Sequence, residues 1–334
     1  MSYIYVNEQG SRIMVDGGYC VIETKDGTRR LFPDNTIEYV SVFGNVDITT
    51  PALQMFMKNK IPVALYSKNG SYFGRIMSNE NINIVRQRKQ FALSGDTDFS
   101  INISKRIIDA KINNQIVILS RYIPQNGDDE EIRKCVNMMK SIRKDLPKCS
   151  DHEQIMGYEG TAARYYFKGL SMCVVPEFRF SGRSRRPPKD AFNSMLSLGY
   201  SMLMNELYGA AEGKGLNVYA GFLHRDRERH PTLASDLMEE WRSVIIDSLV
   251  MSLVNGREVD REDFTVTDNG VFLGDKVFKI FLKKYETKMR TETRYLPEHK
   301  GGVSYRRALW LQTSALAKAV DNEDETLYMP IYIR

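Results

Sequence analysis

The chain has 334 residues, 42% hydrophobic and 27% charged, with Lys+Arg 47 against Asp+Glu 42 and a formal net charge of +5. That length can bury a sizeable core in more than one domain, and the composition excludes a disordered, collagen-like or disulfide-dense chain. The mild basic excess permits a nucleic-acid partner without requiring one.

Cys20, Cys135, Cys149 and Cys173 are scattered with no C-x-x-C pair, which argues against a zinc ribbon or redox motif. Cys149 and His152 lack the second pair that four-coordinate zinc needs. The opening Met1–Asn7 resembles no leader, and the apolar runs Ile61–Tyr66 and Val244–Val254 are too short, or broken by Asp247, to span a membrane. A cytoplasmic protein with no membrane partner is expected.

From residue 1 to about 83 the chain reads as short strands. Ile4–Val6, Arg12–Val15, Tyr19–Glu23, Ile37–Phe43 and Ile61–Tyr66 are rich in β-branched and aromatic residues, and Asp16-Gly17-Gly18, Lys25-Asp26-Gly27 and Lys68-Asn69-Gly70 mark turns. One helix is expected after Thr49, with Pro51 in its first turn. From 84 to 334 the periodicity becomes helical. Helices are predicted from about Arg86, over Ser104–Tyr122, Glu130–Ile142, Asp151–Met172, Asp190–Glu212, Thr232–Val254, Asp275–Thr291 and Tyr305–Val320. A hairpin over Phe264–Leu273 is predicted to turn at Asn269-Gly270, and Val218–His224 reads as extended. The expected class is therefore α+β, with a small β-rich N-terminal domain (1–83) and a larger all-α catalytic domain (84–334).

The chemistry concentrates in two places. His224 is followed, after Arg225, Arg227 and Arg229, by Asp236, Glu239 and Glu240. At i, i+3 and i+4 on one predicted helix, these three acids share a surface, with Cβ atoms about 5–6 Å apart. Glu159 stands between Gly157 and Gly160, and glycines that cost a helix up to ~1 kcal/mol each make sense where a ligand or backbone must approach closely. Taken singly, Glu159 is a solvated glutamate, His224 a capping histidine, and the acids first-turn partners of the helix dipole. Together, two carboxylates and an imidazole suit Mg²⁺ or Mn²⁺ better than structural zinc. The spacing excludes an H-E-x-x-H peptidase, and there is no P-loop, dinucleotide fingerprint or nucleophile elbow. Arg179, Arg183, Arg185, Arg186 and Lys189 form a turn-rich basic loop suited to phosphates.

Three ordered motifs carry a resemblance: Tyr158-Glu159-Gly160-x-x-Ala163-Arg164-x-Tyr166-Phe167, Gly221-Phe222-Leu223-His224, and Leu233-Ala234-x-Asp236-Leu237-Met238-Glu239-Glu240-x-Arg242. With Asp47-Ile48-Thr49-Thr50-Pro51 near the start, the chain resembles, over nearly its whole length, the CRISPR-associated spacer-acquisition integrases. These are the larger of the two near-universal adaptation proteins. The resemblance implies dimerisation through the β-rich domain and a metal (Mg²⁺ or Mn²⁺) held by Glu159, His224 and Glu239. Many relatives carry aspartate at the last of these positions. Asp236 falls on a further acidic position of the family, serving a second cation or supporting the first. The implied partners are double-stranded DNA, as fragment and as repeat array, a second copy of the chain, and a small partner adaptation protein.

The expected activity is metal-assisted endonuclease and strand-transfer chemistry in which a 3′-hydroxyl attacks a phosphodiester, catalysed by Glu159, His224, Glu239 and Asp236. Arg179, Arg183, Arg185, Arg186, Arg225 and Arg227 would contact DNA. A plain metal-dependent nuclease, a non-enzymatic DNA-binding scaffold and a hydrolase of small phosphate esters are the alternatives.

Overall fold

The computed structural model describes residues 2–78, 82–95, 97–123, 130–185, 187–296 and 301–334. The chain divides into two compact units, Met1–Ile82 and Asn83–Arg334, and the class is α+β.

In the first unit, β1 (Ser2–Val6), β5 (Ile37–Phe43), β7 (Val63–Tyr66) and β8 (Tyr72–Ile76) form one sheet in the order β1-β5-β7-β8, parallel except for the β7–β8 pair. A second sheet joins β4 (Arg29–Pro33), β3 (Tyr19–Glu23), β2 (Arg12–Asp16) and β6 (Asp47–Ile48). The inner strand β5 is buried at six of its seven positions, the continuous apolar pattern of a strand paired on both sides. Ile13, Cys20 and Ile22 of one sheet meet Val6, Val40 and Val63 of the other, together with Phe56 of α1 (Thr50–Lys58). The Thr49 hydroxyl accepts the Ala52 amide at 3.4 Å, so the cap predicted there forms. Three strands, β4, β6 and β8, were not anticipated.

The second unit is built on α2 (Ile84–Leu93), α3 (Asp98–Arg121), α4 (Glu130–Asp145), α5 (His152–Met172), α6 (Ala191–Gly213), α7 (Thr232–Met238), α8 (Ser248–Asn255), α9 (Asp275–Arg290) and α10 (Tyr305–Asn322). The helices α3, α4 and α5 pack mutually, and α6 packs on α7 and α10. Two small ribbons interrupt them, β9–β10 (Phe264–Thr267, Gly270–Leu273) and β11–β12 (Glu292–Thr293, Val303–Ser304). In the first ribbon Gly270 pairs with Thr267, so the turn is Asp268-Asn269, one residue earlier than predicted. Among the described residues, no helix is long and apolar enough to cross a membrane.

Two predictions for this unit need correcting. The helix expected over Thr232–Val254 stops at Met238, tightens through i→i−3 bonds from the Glu239 and Trp241 amides, and resumes as a π-helical stretch, Arg242–Asp247, before α8. The segment Val218–His224 is not extended but a series of turns. Its polar groups are satisfied by side chains rather than by a sheet. The Gln90 amide donates to the carbonyls of Asn217 and Ala220, the Ser104 hydroxyl and His152 Nε2 donate to that of Phe222, and the Gly221 amide donates to Thr232 Oγ1.

Candidate active site

Asp236 organises the site. Fully buried on α7, its carboxylate accepts the backbone amides of Phe222 (2.6 Å), Leu223 (3.0 Å) and His224 (3.1 Å), and the His224 ring Nδ1 at 2.6 Å. A carboxylate only accepts, so the Nδ1 proton stays on the ring and Nε2 is left facing outward. Nε2 lies 3.8 Å from Glu239 Oε1. Burial alone would lower the His224 pKa, but hydrogen bonding and charge from Asp236 raise it above the usual value. Gly221 has to be glycine: a Cβ there would lie 2.6 Å from Asp236 Oδ2 and 2.9 Å from Thr232 Cβ.

Glu239 is 3% exposed. Its Oε1 pairs with Arg242 Nη2 at 2.9 Å and its Oε2 with Lys111 Nζ at 2.5 Å. Burial opposes its charge, but Arg242, Lys111 and His224 together hold the carboxyl well below the ordinary glutamate range. Lys111, in the middle of α3, also pairs with Glu159 Oε1 on α5. Burial works against the ammonium, and the two carboxylates outweigh it, keeping its pKa above that of an ordinary lysine. A contact chain thus links Glu159, Lys111, Glu239 and His224. Glu159 and His224 keep part of their side chains open to solvent (18% and 27%), while Lys111 and Glu239 close the floor.

The three acids grouped by spacing do not share a surface. The break in helix geometry after Met238 turns Glu239 toward Lys111 and Arg242, and Glu240 away from them. Glu240 Oε1 accepts the Tyr328 hydroxyl at 2.5 Å, and Oε2 accepts the Ile331 amide at 2.8 Å and the Gln312 side-chain amide. Burial pushes its pKa up to about 8. Asp236 has its acceptors filled, which fits a residue that positions His224 rather than one that binds an ion.

The basic residues divide. Arg179 and Arg185 are exposed and, with Arg164, Lys168 and Phe167 of α5, line a groove of about 570 Å³ that also borders Gly160. Arg183 lines it too, but its guanidinium is committed inward. It donates to Asn193 Oδ1 (2.9 Å) and Ser197 Oγ (3.1 Å) and lies 5.2 Å from the centre of the Tyr200 ring. Arg225 is exposed and paired with Glu153 at 2.6 Å, and Arg227 is exposed. Arg186 lies outside the described residues. A Cβ at Gly157 or Gly160 would meet nothing within 4 Å, so no other backbone approaches there and the space is open.

Sequence reasoning missed Lys111 and gave Arg242 no role. Lys111 had a signal: four residues after Ile107 and four before Gln115, it sits on the buried stripe of α3 where a charge requires a partner.

Among the described residues no three His, Cys, Asp or Glu side chains form a ready cation-binding cluster; the Lys111 ammonium stands between Glu159 and Glu239 instead. The donor set still fits a hard divalent ion. Two carboxylates already bracket a cation, and an imidazole Nε2 stands 3.8 Å from one of them.

A strand-rich unit followed by a helical one with a buried carboxylate–histidine–lysine site defines a class, and the comparisons with known proteins identify it. The family model described as "CRISPR associated protein Cas1" matches residues 4–287. The CRISPR-associated endonuclease Cas1 of Mycobacterium tuberculosis (strain CDC 1551 / Oshkosh) is 33% identical over 323 residues, 96% of this chain and 94% of the relative. A Cas1 endonuclease of Methanospirillum hungatei is 31% identical, covering 99% and 91%. The chain belongs to the Cas1 family. Its fold is also that of a casposase bound to integration product (TM-score 0.85, 23% identity, 98% of this chain and 93% of that one). A longer chain in a Cas6-RT-Cas1–Cas2 complex is similar as well (TM-score 0.84, 21% identity), with 98% of this chain spanning 36% of that one.

Proposed function

We propose that this chain is a divalent-cation-dependent endonuclease and integrase that joins the 3′-end of a short duplex to a repeat array as a new spacer. It would act as a homodimer, paired through residues 1–83, together with a small partner adaptation protein. The observation that carries this reading is the contact chain from three separate segments, in which the buried Lys111 joins Glu159 to Glu239 and His224 Nε2 lies 3.8 Å from Glu239, beside a basic groove. The relatives' name, endonuclease, the casposase's integration product and the Cas1–Cas2 complex point the same way.

Glu159, Glu239 and His224 Nε2 would hold Mg²⁺ or Mn²⁺, which when bound supplies Lewis-acid stabilisation of the phosphodiester and a lower pKa for the attacking hydroxyl. Asp236 fixes the His224 tautomer and ring orientation. Arg242 holds Glu239 Oε1 in place. Arg179 and Arg185, with Arg164 and Lys168, neutralise backbone phosphates in the groove without reading bases, and Arg225 and Arg227 do so on the loop after His224. Attack forms one P–O bond and breaks another, with the proton of the incoming hydroxyl passing overall to the departing 3′-oxygen. Alignment therefore matters more than any energy-rich cofactor.

The test is transfer of a labelled short duplex into a supercoiled repeat-bearing plasmid, with and without Mn²⁺ or Mg²⁺. Wild type should join strands only with the ion. Glu159→Ala and His224→Ala should lose joining while binding DNA within a few-fold of wild type. Cleavage products without joining would favour a plain nuclease, and an active His224→Ala would reject the proposal.

A further inference from the structure

Lysine is almost never fully buried without partners, because its ammonium loses hydration. The Lys111 side chain is 6% exposed, and Glu159 Oε1 and Glu239 Oε2 lie on it from two different segments. Neither carboxylate is otherwise neutral to the other. Without a cation between them, two like charges would face each other across a poorly solvated floor.

We propose that the Lys111 ammonium is a built-in cation that holds the carboxylates of Glu159 and Glu239 together in the ion-free protein, and that a divalent ion has to displace it. Lys111 then sets how tightly the site takes its ion. This rests on the reading of Glu159, His224 and Glu239 as ion ligands. Three observations carry it. The ammonium stands between the same two carboxylates that would bind the ion, so the two cations compete for one place. Glu239 Oε2 meets Lys111 at 2.5 Å as a contact between opposite charges, which another cation at the same place can take over. Arg242 remains on Glu239 Oε1 at 2.9 Å, so the carboxylate keeps one anchor when Lys111 leaves. The flexible four-carbon stem lets the ammonium move while its backbone stays in α3, and of its two partners Glu159 is the more solvent-open. Lys111 is thus a positioning residue that trades with the ion, and its role can be read without turnover.

The experiment is calorimetric titration of DNA-free full-length protein with Mn²⁺, comparing wild type with Lys111→Met, Lys111→Arg and Glu239→Gln. Lys111→Met should bind Mn²⁺ at least tenfold tighter than wild type, while Lys111→Arg, which keeps the charge, should not. Without ion, Lys111→Met should melt below wild type, and saturating Mn²⁺ should close the gap. If Lys111→Met does not fold without ion, it is purified in Mn²⁺ and its affinity measured by chelator competition, with Lys111→Gln as the second uncharged variant. Equal or weaker Mn²⁺ binding by the uncharged variants overturns the proposal. If Glu239→Gln abolishes binding while Lys111→Met leaves it unchanged, the ion site stands and only the competition fails. If Glu239→Gln binds like wild type, the ion sits elsewhere and the site reading fails with it.

Discussion

Asp236 Oδ1 holds His224 twice, through its backbone amide at 3.1 Å and through its ring Nδ1 at 2.6 Å. One side chain therefore sets both where the histidine's backbone lies and which ring nitrogen is presented. Asp236→Asn keeps the shape but loses half the acceptor capacity. It should weaken Mn²⁺ binding by about 10–100-fold and cost about 2–4 kcal/mol by leaving buried amides unpaired. Urea unfolding and Mn²⁺ titration measure the two effects; unchanged Mn²⁺ affinity would remove Asp236 from its positioning role.

The glycines near the site should respond oppositely to alanine. Gly221→Ala places a methyl group 2.6 Å from Asp236 Oδ2, so it should displace the His224 segment and lose roughly 2 kcal/mol or more of stability. Gly160→Ala meets open space within α5 and should gain up to ~1 kcal/mol from helix propensity. Thermal melts of the two variants decide it, and a well-folded, active Gly221→Ala would show that the close approach is not needed.

Among the groove arginines, exposure separates two roles. Arg179→Ala and Arg185→Ala should leave the melting temperature alone and each reduce the slope of log affinity against log salt by about 1. Arg183→Ala should instead destabilise the fold by about 1–3 kcal/mol, since Asn193 and Ser197 lose this donor and Tyr200 loses one of the two guanidinium groups over its ring. Fluorescence anisotropy of a labelled duplex over a salt series, beside melts, resolves the two classes. Equal effects of all three would contradict the division.

Asp247 gives a pH signature of its own. It accepts the Tyr166 hydroxyl at 2.7 Å and the Tyr200 hydroxyl at 2.5 Å. Burial pushes its pKa from 3.8 up to about 6, against the pull of the two hydroxyls and of Arg183 and Arg242. Between those values the folded protein keeps a proton that the unfolded chain has released. This contribution to stability is complete below about pH 3.8 and lost as pH rises through about 6, a change of up to ~3 kcal/mol. Asp247→Asn should flatten the stability profile across that window in denaturant titrations; a slope equal to wild type would count against it.

Much of this molecule was legible in its sequence because several signals are local. Strand alternation broken by Asp-Gly and Asn-Gly, the Thr49 cap, and the apolar stripes of α3 to α6 each depend on a few neighbouring residues. The missed strands lack such a signal. In β4, Arg29, Arg30 and Leu31 are all exposed on the edge of its sheet, so no alternation is written there, and β8 has no fully buried residue. The site was legible in kind but not in arrangement. Spacing grouped Asp236, Glu239 and Glu240, whereas the turn after Met238 sends them to three tasks. The tasks of Glu239 and Glu240 depend on partners over 70 residues away in the chain, Lys111 and Tyr328 among them, and no local pattern encodes that.

The burial of Glu240 also orders the protein's assembly in time. Its carboxyl is completed by Tyr328 and the Ile331 amide, and Asn114 of α3 takes the Ile331 carbonyl and the Ile333 amide. A ribosome emits residues 328–334 almost a hundred residues after Glu239. Until they emerge, the side chain next to Glu239 lacks those partners, so the buried surroundings of the candidate site are completed only once residues 328–334 have been made.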